Sequence, residues 1–264
     1  MREGVLLTLA LFLVAFGASG GELEPAPEGV SADDIAVCAD NVLRSDRTFM
    51  EASMTIESPR LARPRTVRFR SWDDRAGRRA LVRIDAPPKD AGTGFLKLHP
   101  NLWMYVPRVE RTLRIPPSMM LQPWMGSDFN NDDLVNESSE IEDYDHHLLG
   151  IEPATNGTDG LRAFVVEYLP HDDAPVVWGR IVGWIATERC VPLREEFFDE
   201  QGVKLRVMRF DDVRRVEGRP VPHLWEMTPL DKPGHRTTIR IHRISFDAAF
   251  DDDIFTKRQL RKRD

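Results

Sequence analysis

Hydrophobic and polar positions change their period once along this chain. After Ser31 and Asp34, which match a capping box, apolar residues recur at helical spacing to about Arg44 and predict one helix. From Phe49 onward, apolar and charged residues alternate with a period of two, as in residues 67–70. This alternation is typical of strands with one apolar and one charged face. The pattern therefore predicts a β-rich domain behind an opening helix.

Short turn sequences separate the alternating segments at the spacing of β-hairpins. The predicted strands are residues 49–57, 66–72, 79–85, 94–99, 102–107, 111–115, 141–149, 161–169, 177–187, 192–199, 203–211, 220–228 and 236–246. Antiparallel strands joined by short turns predict a mainly β (α+β) fold, with a highly curved antiparallel sheet or a barrel.

One segment, residues 101–135, combines large apolar side chains with several prolines. Proline is excluded from helix interiors and central strands, and a plain surface loop seldom carries so many large apolar groups. Two interpretations stay open: a lid over an apolar cavity, with methionines that adapt to varied ligands, or a plug that fills the open side of the sheet. The residues expected to face lipid under the first are Trp103, Tyr105, Met119, Met120, Leu121, Trp124, Met125 and Phe129.

The N-terminus has the pattern of a secretion signal. Arg2 precedes an apolar run at residues 5–16, and small residues follow up to Gly20. The apolar run is shorter than a membrane-spanning helix requires. We expect a signal peptide at residues 1–20, a flexible leader at residues 21–30 and one exported domain at residues 31–264.

Charge and cysteine content narrow the possible functions. A net charge of -7 and a pI near 5.6 argue against nucleic-acid binding. The basic tail, residues 257–263, is interpreted as a solvated terminus in preference to a docking patch. Cys38 and Cys190 could pair in an oxidising compartment, and the sequence leaves open whether they meet.

Catalytic and metal-binding patterns are weak in this sequence. His146 and His147 are adjacent on a predicted strand, so they point to opposite faces and cannot easily share one metal ion. The acidic residues 128–133 lack the register of a calcium loop, and we expect Asn131 or Asp132 to cap a short helix instead. No nucleophile elbow, zinc-protease or phosphate-loop motif occurs. We expect no enzyme activity, no metal and no cofactor.

A resemblance adds to this interpretation. Residues 87–135 resemble bacterial outer-membrane lipoprotein-sorting proteins of the LolA-like superfamily, and PSMMLQPWMGSDF is their most specific part. Residues 193–202 and 236–255 fit the same pattern. The resemblance implies a half-open antiparallel β-barrel, with the N-terminal helix and short helices covering its concave apolar face.

The same resemblance implies a function and a mechanism. A carrier of this type binds lipid or lipoprotein acyl chains between sheet and lid in the periplasm, and moves them toward the outer membrane. It would act as a monomer with transient membrane contact, loaded by an inner-membrane exporter permease and unloaded by an outer-membrane acceptor. It also implies a barrel arginine that latches the lid; Arg108, Arg111 and Arg114 lie near the insert, and none matches a motif.

An alternative function stays open at this point. A periplasmic accessory or sensor module of an export pump would bind a partner protein and carry no lipid, on the same architecture. For a carrier, burial of an acyl chain gains about 0.8 kcal/mol per methylene in a bilayer or a cavity alike. The direction of transfer must therefore come from the partners.

Overall fold

The computed structural model describes residues 23–135, 140–153, 161–172, 174 and 178–262. Helix α1 (Ala32–Leu43) begins after Ser31, whose side chain accepts a hydrogen bond from the backbone N–H of Asp34. The predicted first helix and its cap are therefore confirmed. The buried stripe of α1 consists of Ile35, Ala36, Ala39 and Val42.

Within these described ranges, thirteen strands form one antiparallel sheet. They are β1 (Arg47–Glu57), β2 (Arg65–Asp74), β3 (Arg79–Ala86), β4 (Gly94–Leu98), β5 (Asn101–Val106), β6 (Arg111–Ile115), β7 (Tyr144–Pro153), β8 (Arg162–Pro170), β9 (Arg180–Ala186), β10 (Pro192–Phe198), β11 (Lys204–Val216), β12 (Arg219–Pro229) and β13 (Arg236–Ser245). Each corresponds to one predicted strand, so the alternating pattern located all of them. The largest differences are that β7 begins and ends later than predicted and β11 is longer.

The strand order makes the sheet an unclosed barrel. The order is β6-β5-β4-β3-β2-β1-β13-β12-β11-β10-β9-β8-β7, so β1 pairs with β13 and the edges are β6 and β7. The expected mainly β fold with a half-open barrel is confirmed. The connection from Ile115 to Tyr144 joins the two edge strands and contains residues 116–135, the C-terminal part of the apolar, proline-rich segment, which we call the insert. Because it runs from one edge of the curved sheet to the other, this connection is in a position to cover its open side.

The two largest hydrophobic cores among the described residues lie on opposite faces of the sheet. The inner core includes Met54, Val67, Ile84 and Phe95, together with the stripe of α1. The outer core is formed where the C-terminal segment packs on the sheet; its buried members are Leu81, Leu96, Tyr105, Phe255 and Leu260. Leu260 lies in helix α3 (Lys257–Leu260), the last described helix. Strands β3 and β4 are buried on both faces because this segment covers the side that would otherwise meet solvent.

The N-terminal part of the chain is attached to the half of the sheet that ends in edge strand β7. Glu24 forms an antiparallel bridge with Ile151, although it lies in the leader that we expected to be flexible. A disulfide joins Cys38 in α1 to Cys190 in the turn between β9 and β10. The predicted signal peptide lies outside the described residues. None of the described helices is long and apolar enough to cross a membrane.

Candidate functional site

The insert folds into a compact loop that bonds to itself. It consists of two short 3-10 turns, Pro117–Met119 and Trp124–Gly126, and helix α2 (Asn131–Val135). The backbone N–H of Trp124 donates to the carbonyl of Phe129 at 2.8 Å. Prolines at 116, 117 and 123 prevent a longer helix from forming, because each lacks a backbone donor. We call residues 116–135 the lid.

Trp124 fixes the middle of the lid to the inner face of the sheet. Only 1% of its surface is exposed, and its ring meets the rings of Phe69 and Phe95 edge-on, with centroid distances of 5.3 and 5.9 Å. Arg65 on β2 donates to the carbonyl of Met125 at 2.8 Å. The centre of the lid is therefore held as core.

A capping box begins helix α2. The backbone N–H of Asp133 donates to the side chain of Asn130, and the backbone N–H of Asn130 donates to Asp133, both at 2.8 Å. The expectation that Asn131 or Asp132 caps this helix is wrong by one position. The cap orients the Asp133 carboxylate toward the barrel wall.

Arg206 on β11 receives that carboxylate. Its guanidinium donates to both oxygens of Asp133, at 2.5 and 2.6 Å, in a bidentate ion pair. The guanidinium also lies 4.2 Å from the ring centroid of Trp178 and 4.4 Å from that of Phe197. A barrel arginine thus holds the lid helix, whereas the three candidates near the insert, Arg108, Arg111 and Arg114, are exposed.

Sequence reasoning missed Arg206, although a signal was present. Arg206 occupies the same face of β11 as Met208 and Phe210, both of which line the cavity described next. An arginine at an inward position of an alternating strand needs a buried partner. That partner, Asp133, lies 73 positions away, which no local pattern reveals.

Between the lid, α1 and the inner face of the sheet lies a cavity of about 230 Å³. Most of its wall is apolar. The apolar lining includes Met50, Phe69, Trp124, Phe129, Met208 and Trp225.

The eight residues predicted to face lipid fall into separate groups. Trp124 and Phe129 are buried and line the cavity. Met120 and Met125 pack against the inner core and do not line it. Met119 and Leu121 are exposed on the outside of the lid, at 46% and 56% of their surface.

Trp103 and Tyr105 lie on the other face of the sheet. Neighbouring Leu102 and Met104 pack in the inner core, so the alternation of β5 turns Trp103 and Tyr105 outward. There Tyr105 packs in the outer core, and the ammonium of Lys257 sits 3.2 Å from the Trp103 ring centroid. These two side chains form part of the surface on which the C-terminal segment packs, and they do not line the cavity.

Acidic groups occupy the polar part of the cavity wall. Burial, followed by the negative charge of Asp40, raises the pKa of Glu140 to about 7. Burial and the charge of Glu140 raise the pKa of Glu195 well above its ordinary value. Sequence reasoning did not single out either residue. Glu195 lies on the cavity side of β10 together with Phe197.

The histidine run shows no shared site. His146 faces inward and is held by Asp33 at 2.6 Å and by the carbonyl of Glu140 at 2.8 Å, while His147 is exposed. Among the described residues, no group of three or more His, Cys, Asp or Glu side chains is arranged to hold a metal ion.

Solved structures with the same fold include proteins of the LolA superfamily. A protein of the DUF1329 family from Desulfovibrio piger is 23% identical, with a TM-score of 0.76 over 87% of this chain and 97% of its own. An outer-membrane lipoprotein-sorting protein domain from Vibrio parahaemolyticus is 25% identical, with a TM-score of 0.74 over 88% and 98%. A LolA-superfamily protein from Nitrosomonas europaea is 21% identical, with a TM-score of 0.73 over 87% and 99%.

The family follows from the sequence match. A family model described as "Uncharacterized protein" matches residues 76–262, which is more than half of the chain. The chain belongs to this family. No curated protein matches it in sequence. The resemblance to LolA-like lipoprotein-sorting proteins is confirmed at the level of fold.

Proposed function

We propose that this protein is a periplasmic carrier that binds the acyl chain of a lipid or lipoprotein in the cavity beneath the lid. The observation that carries the proposal is the lid itself, which lies in the connection between the two edge strands and covers an apolar cavity on the inner face of the sheet. The architecture shared with lipoprotein-sorting domains supports the same function. The protein acts by binding, without catalysis, and delivers its cargo toward the outer membrane.

The size of the cavity indicates that the lid is closed. The cavity volume of about 230 Å³ lies below the range of about 300–1,000 Å³ that is usual for ligand pockets. Binding a whole chain therefore requires the lid to move.

The α2 end is the part of the lid suited to move. Trp124 is packed as core and anchors the centre, whereas α2 is attached through the ion pair between Asp133 and Arg206. An ion pair is worth least where water can replace it, so an approaching partner that hydrates Asp133 releases α2 while Trp124 stays in place. We assign Arg206 the role of latch that the resemblance implies.

The disulfide between Cys38 and Cys190 supports the proposed compartment, because disulfides persist in oxidising environments such as the periplasm. The predicted signal peptide leads to the same place. An inner-membrane exporter permease as donor and an outer-membrane acceptor supply the direction of transfer, since a bilayer and a cavity bury a methylene equally well.

The test uses a cavity-filling variant. Met208 lines the cavity and is only partly buried, so Met208→Trp fills the space without burying a charge. We expect wild-type protein purified from the periplasm to contain lipid detectable by mass spectrometry, and to bind an uncharged pyrene-labelled long-chain alcohol. Met208→Trp should lose at least ten-fold in affinity and remain folded.

Met119→Trp is the matched control, because it makes the same change at an exposed position of the lid. It should bind like wild type. A wild-type protein that contains no lipid and does not bind the alcohol would contradict the carrier function. It would favour the accessory or sensor module, which binds a partner protein.

A further inference from the structure

The cavity wall has more carboxyl groups than cations. Six carboxyl groups line it: Asp40, Asp73, Asp132, Asp133, Glu140 and Glu195. Asp40, Asp73 and Asp133 each have a guanidinium partner. Arg75 pairs with Asp40 at 2.6 Å, Arg44 with Asp73 at 3.0 Å, and Arg206 with Asp133.

Glu140 and Glu195 differ from these three. Neither side chain forms a hydrogen bond or ion pair with any residue that the structure describes. Protein surrounds Glu195, and the surface it keeps opens into the cavity. The two glutamates are close enough that the charge of Glu140 acts on Glu195. Arg206 also acts on both, but Asp133 already holds its guanidinium by two hydrogen bonds.

An apolar surface begins next to these carboxyls. Met208 lies directly opposite Glu195 in the pairing of β10 with β11, and Phe210 and Trp225 continue the cavity wall. Their rings meet at a centroid distance of 6.0 Å. The cavity therefore has an acidic end and an apolar end.

We propose that the cavity takes an amphiphile with a cationic ammonium head, which lies between Glu140 and Glu195 while the alkyl chain lies along Met208 and Trp225. The inference rests on the proposed carrier function and specifies the class of its ligand. A carboxylate enclosed by protein without a partner is unfavourable, and an ammonium group supplies charge-assisted hydrogen bonds that compensate it. A fatty acid would instead bring another negative charge to a wall that already has an excess of them.

The test compares three probes with the same eight-carbon chain, which fits the closed cavity: octylamine, octanol and octanoate. Binding to the full mature protein, stripped of lipid, is measured at pH 7.5 by quenching of tryptophan fluorescence, since Trp124 and Trp225 line the cavity. We expect octylamine to bind at least ten-fold more tightly than octanoate, with octanol between them. The ammonium head could belong to a phospholipid or to a free amine. Octanoyl lysophosphatidylethanolamine, measured in the same way, distinguishes these two sources. Affinity equal to that of octylamine identifies a phospholipid head, and weaker affinity identifies a free amine.

The variants Glu195→Gln and Glu140→Gln keep the shape of each side chain and remove its ability to ionise and pair with an ammonium group. Each should weaken octylamine binding at least five-fold and leave octanol binding within two-fold of wild type, which also shows that the variant is folded. Glu200→Gln is the matched control, because Glu200 is exposed in the turn that follows β10. It should change neither affinity, which separates a specific site from the general attraction of a chain with a net charge of -7.

Two outcomes overturn the inference. If octanol binds and octylamine binds no more tightly than octanoate, the cavity does not select ammonium heads and the carrier function stands. If octylamine is preferred but neither glutamine variant weakens it, the preference arises elsewhere on the protein. Failure of all three probes to bind would instead remove the proposed function together with the inference.

Discussion

The guanidinium of Arg206 donates hydrogen bonds to both carboxylate oxygens of Asp133 and thereby connects helix α2 of the lid to strand β11 of the barrel. Both side chains are largely removed from solvent, with 6% and 15% of their surface exposed. Two rings flank the guanidinium, so it cannot easily move to a new partner. This buried ion pair therefore connects helix α2 of the lid directly to the wall of the barrel.

The latch predicts an asymmetric response to mutation. Arg206→Met leaves the Asp133 carboxylate enclosed without a cation and should lower the free energy of unfolding by about 3–5 kcal/mol, measured by urea denaturation. The double variant Arg206→Met with Asp133→Leu should recover most of this loss. Arg214→Met removes an exposed ion pair with Asp212 and should cost far less than Arg206→Met, because water screens this pair. Equal losses from the buried and the exposed pair would rule out a special role for Arg206.

The lid has a buried side and an exposed side, and substitutions on the two sides should change the free energy of unfolding by different amounts. Trp124→Ala removes a ring enclosed by Phe69 and Phe95 and should cost about 3–5 kcal/mol in unfolding free energy. Leu121→Ala changes an exposed side chain and should stay within about 0.5 kcal/mol of wild type. Thermal or urea denaturation measures both. A small loss at Trp124 would show that the lid is not packed as core at its centre.

Glu140 predicts an unusual dependence of stability on pH. Burial raises its pKa from 4.5 to about 7, so between these values the folded protein binds more protons than the unfolded chain. The contribution of Glu140 to the free energy of unfolding is fully present below pH 4.5 and is lost as the pH rises through 7. Glu140→Gln should therefore be more stable than wild type at pH 8, by about 3 kcal/mol, and should show little advantage at pH 4.5.

The comparison is made by urea denaturation at both pH values, with Glu200→Gln as the control that should follow wild type. Glu195 shifts in the same direction and interacts with Glu140, so the double glutamine variant should flatten the profile further. A wild type that gains stability between pH 4.5 and 8 while Glu140→Gln shows no advantage would contradict the prediction.

The disulfide predicts a redox-dependent stability. It closes a loop of 152 positions between α1 and the β9–β10 turn. Since cross-linking restricts the unfolded chain, Cys38→Ser with Cys190→Ser should lower the unfolding free energy by about 2–4 kcal/mol. Reductant should lower the wild type to the same value and leave the double variant unchanged. If reductant did not change the urea midpoint of the wild type, the disulfide would not contribute to stability.

Local patterns were sufficient for the elements but not for the site. The alternation in residues 101–106 located β5, and the same alternation, applied to Leu102 and Met104, would have turned Trp103 and Tyr105 away from the cavity. The high density of large apolar residues in this segment instead favours a ligand contact for Trp103 and Tyr105. The insert packs against the inner face of the sheet through Trp124, yet two of its residues, Met119 and Leu121, face outward.

By itself the sequence determined the first helix, the strands and the position of the insert, because helical and strand periods depend on neighbours a few residues apart. Only the tertiary structure decided what faces the cavity. Arg206 meets Asp133 across 73 positions, Cys38 meets Cys190 across 152, and Glu195 on β10 lines the same cavity as Glu140, which precedes β7. Those contacts depend on the pairing of β1 with β13 and on the curvature of the sheet, which the period of two does not encode.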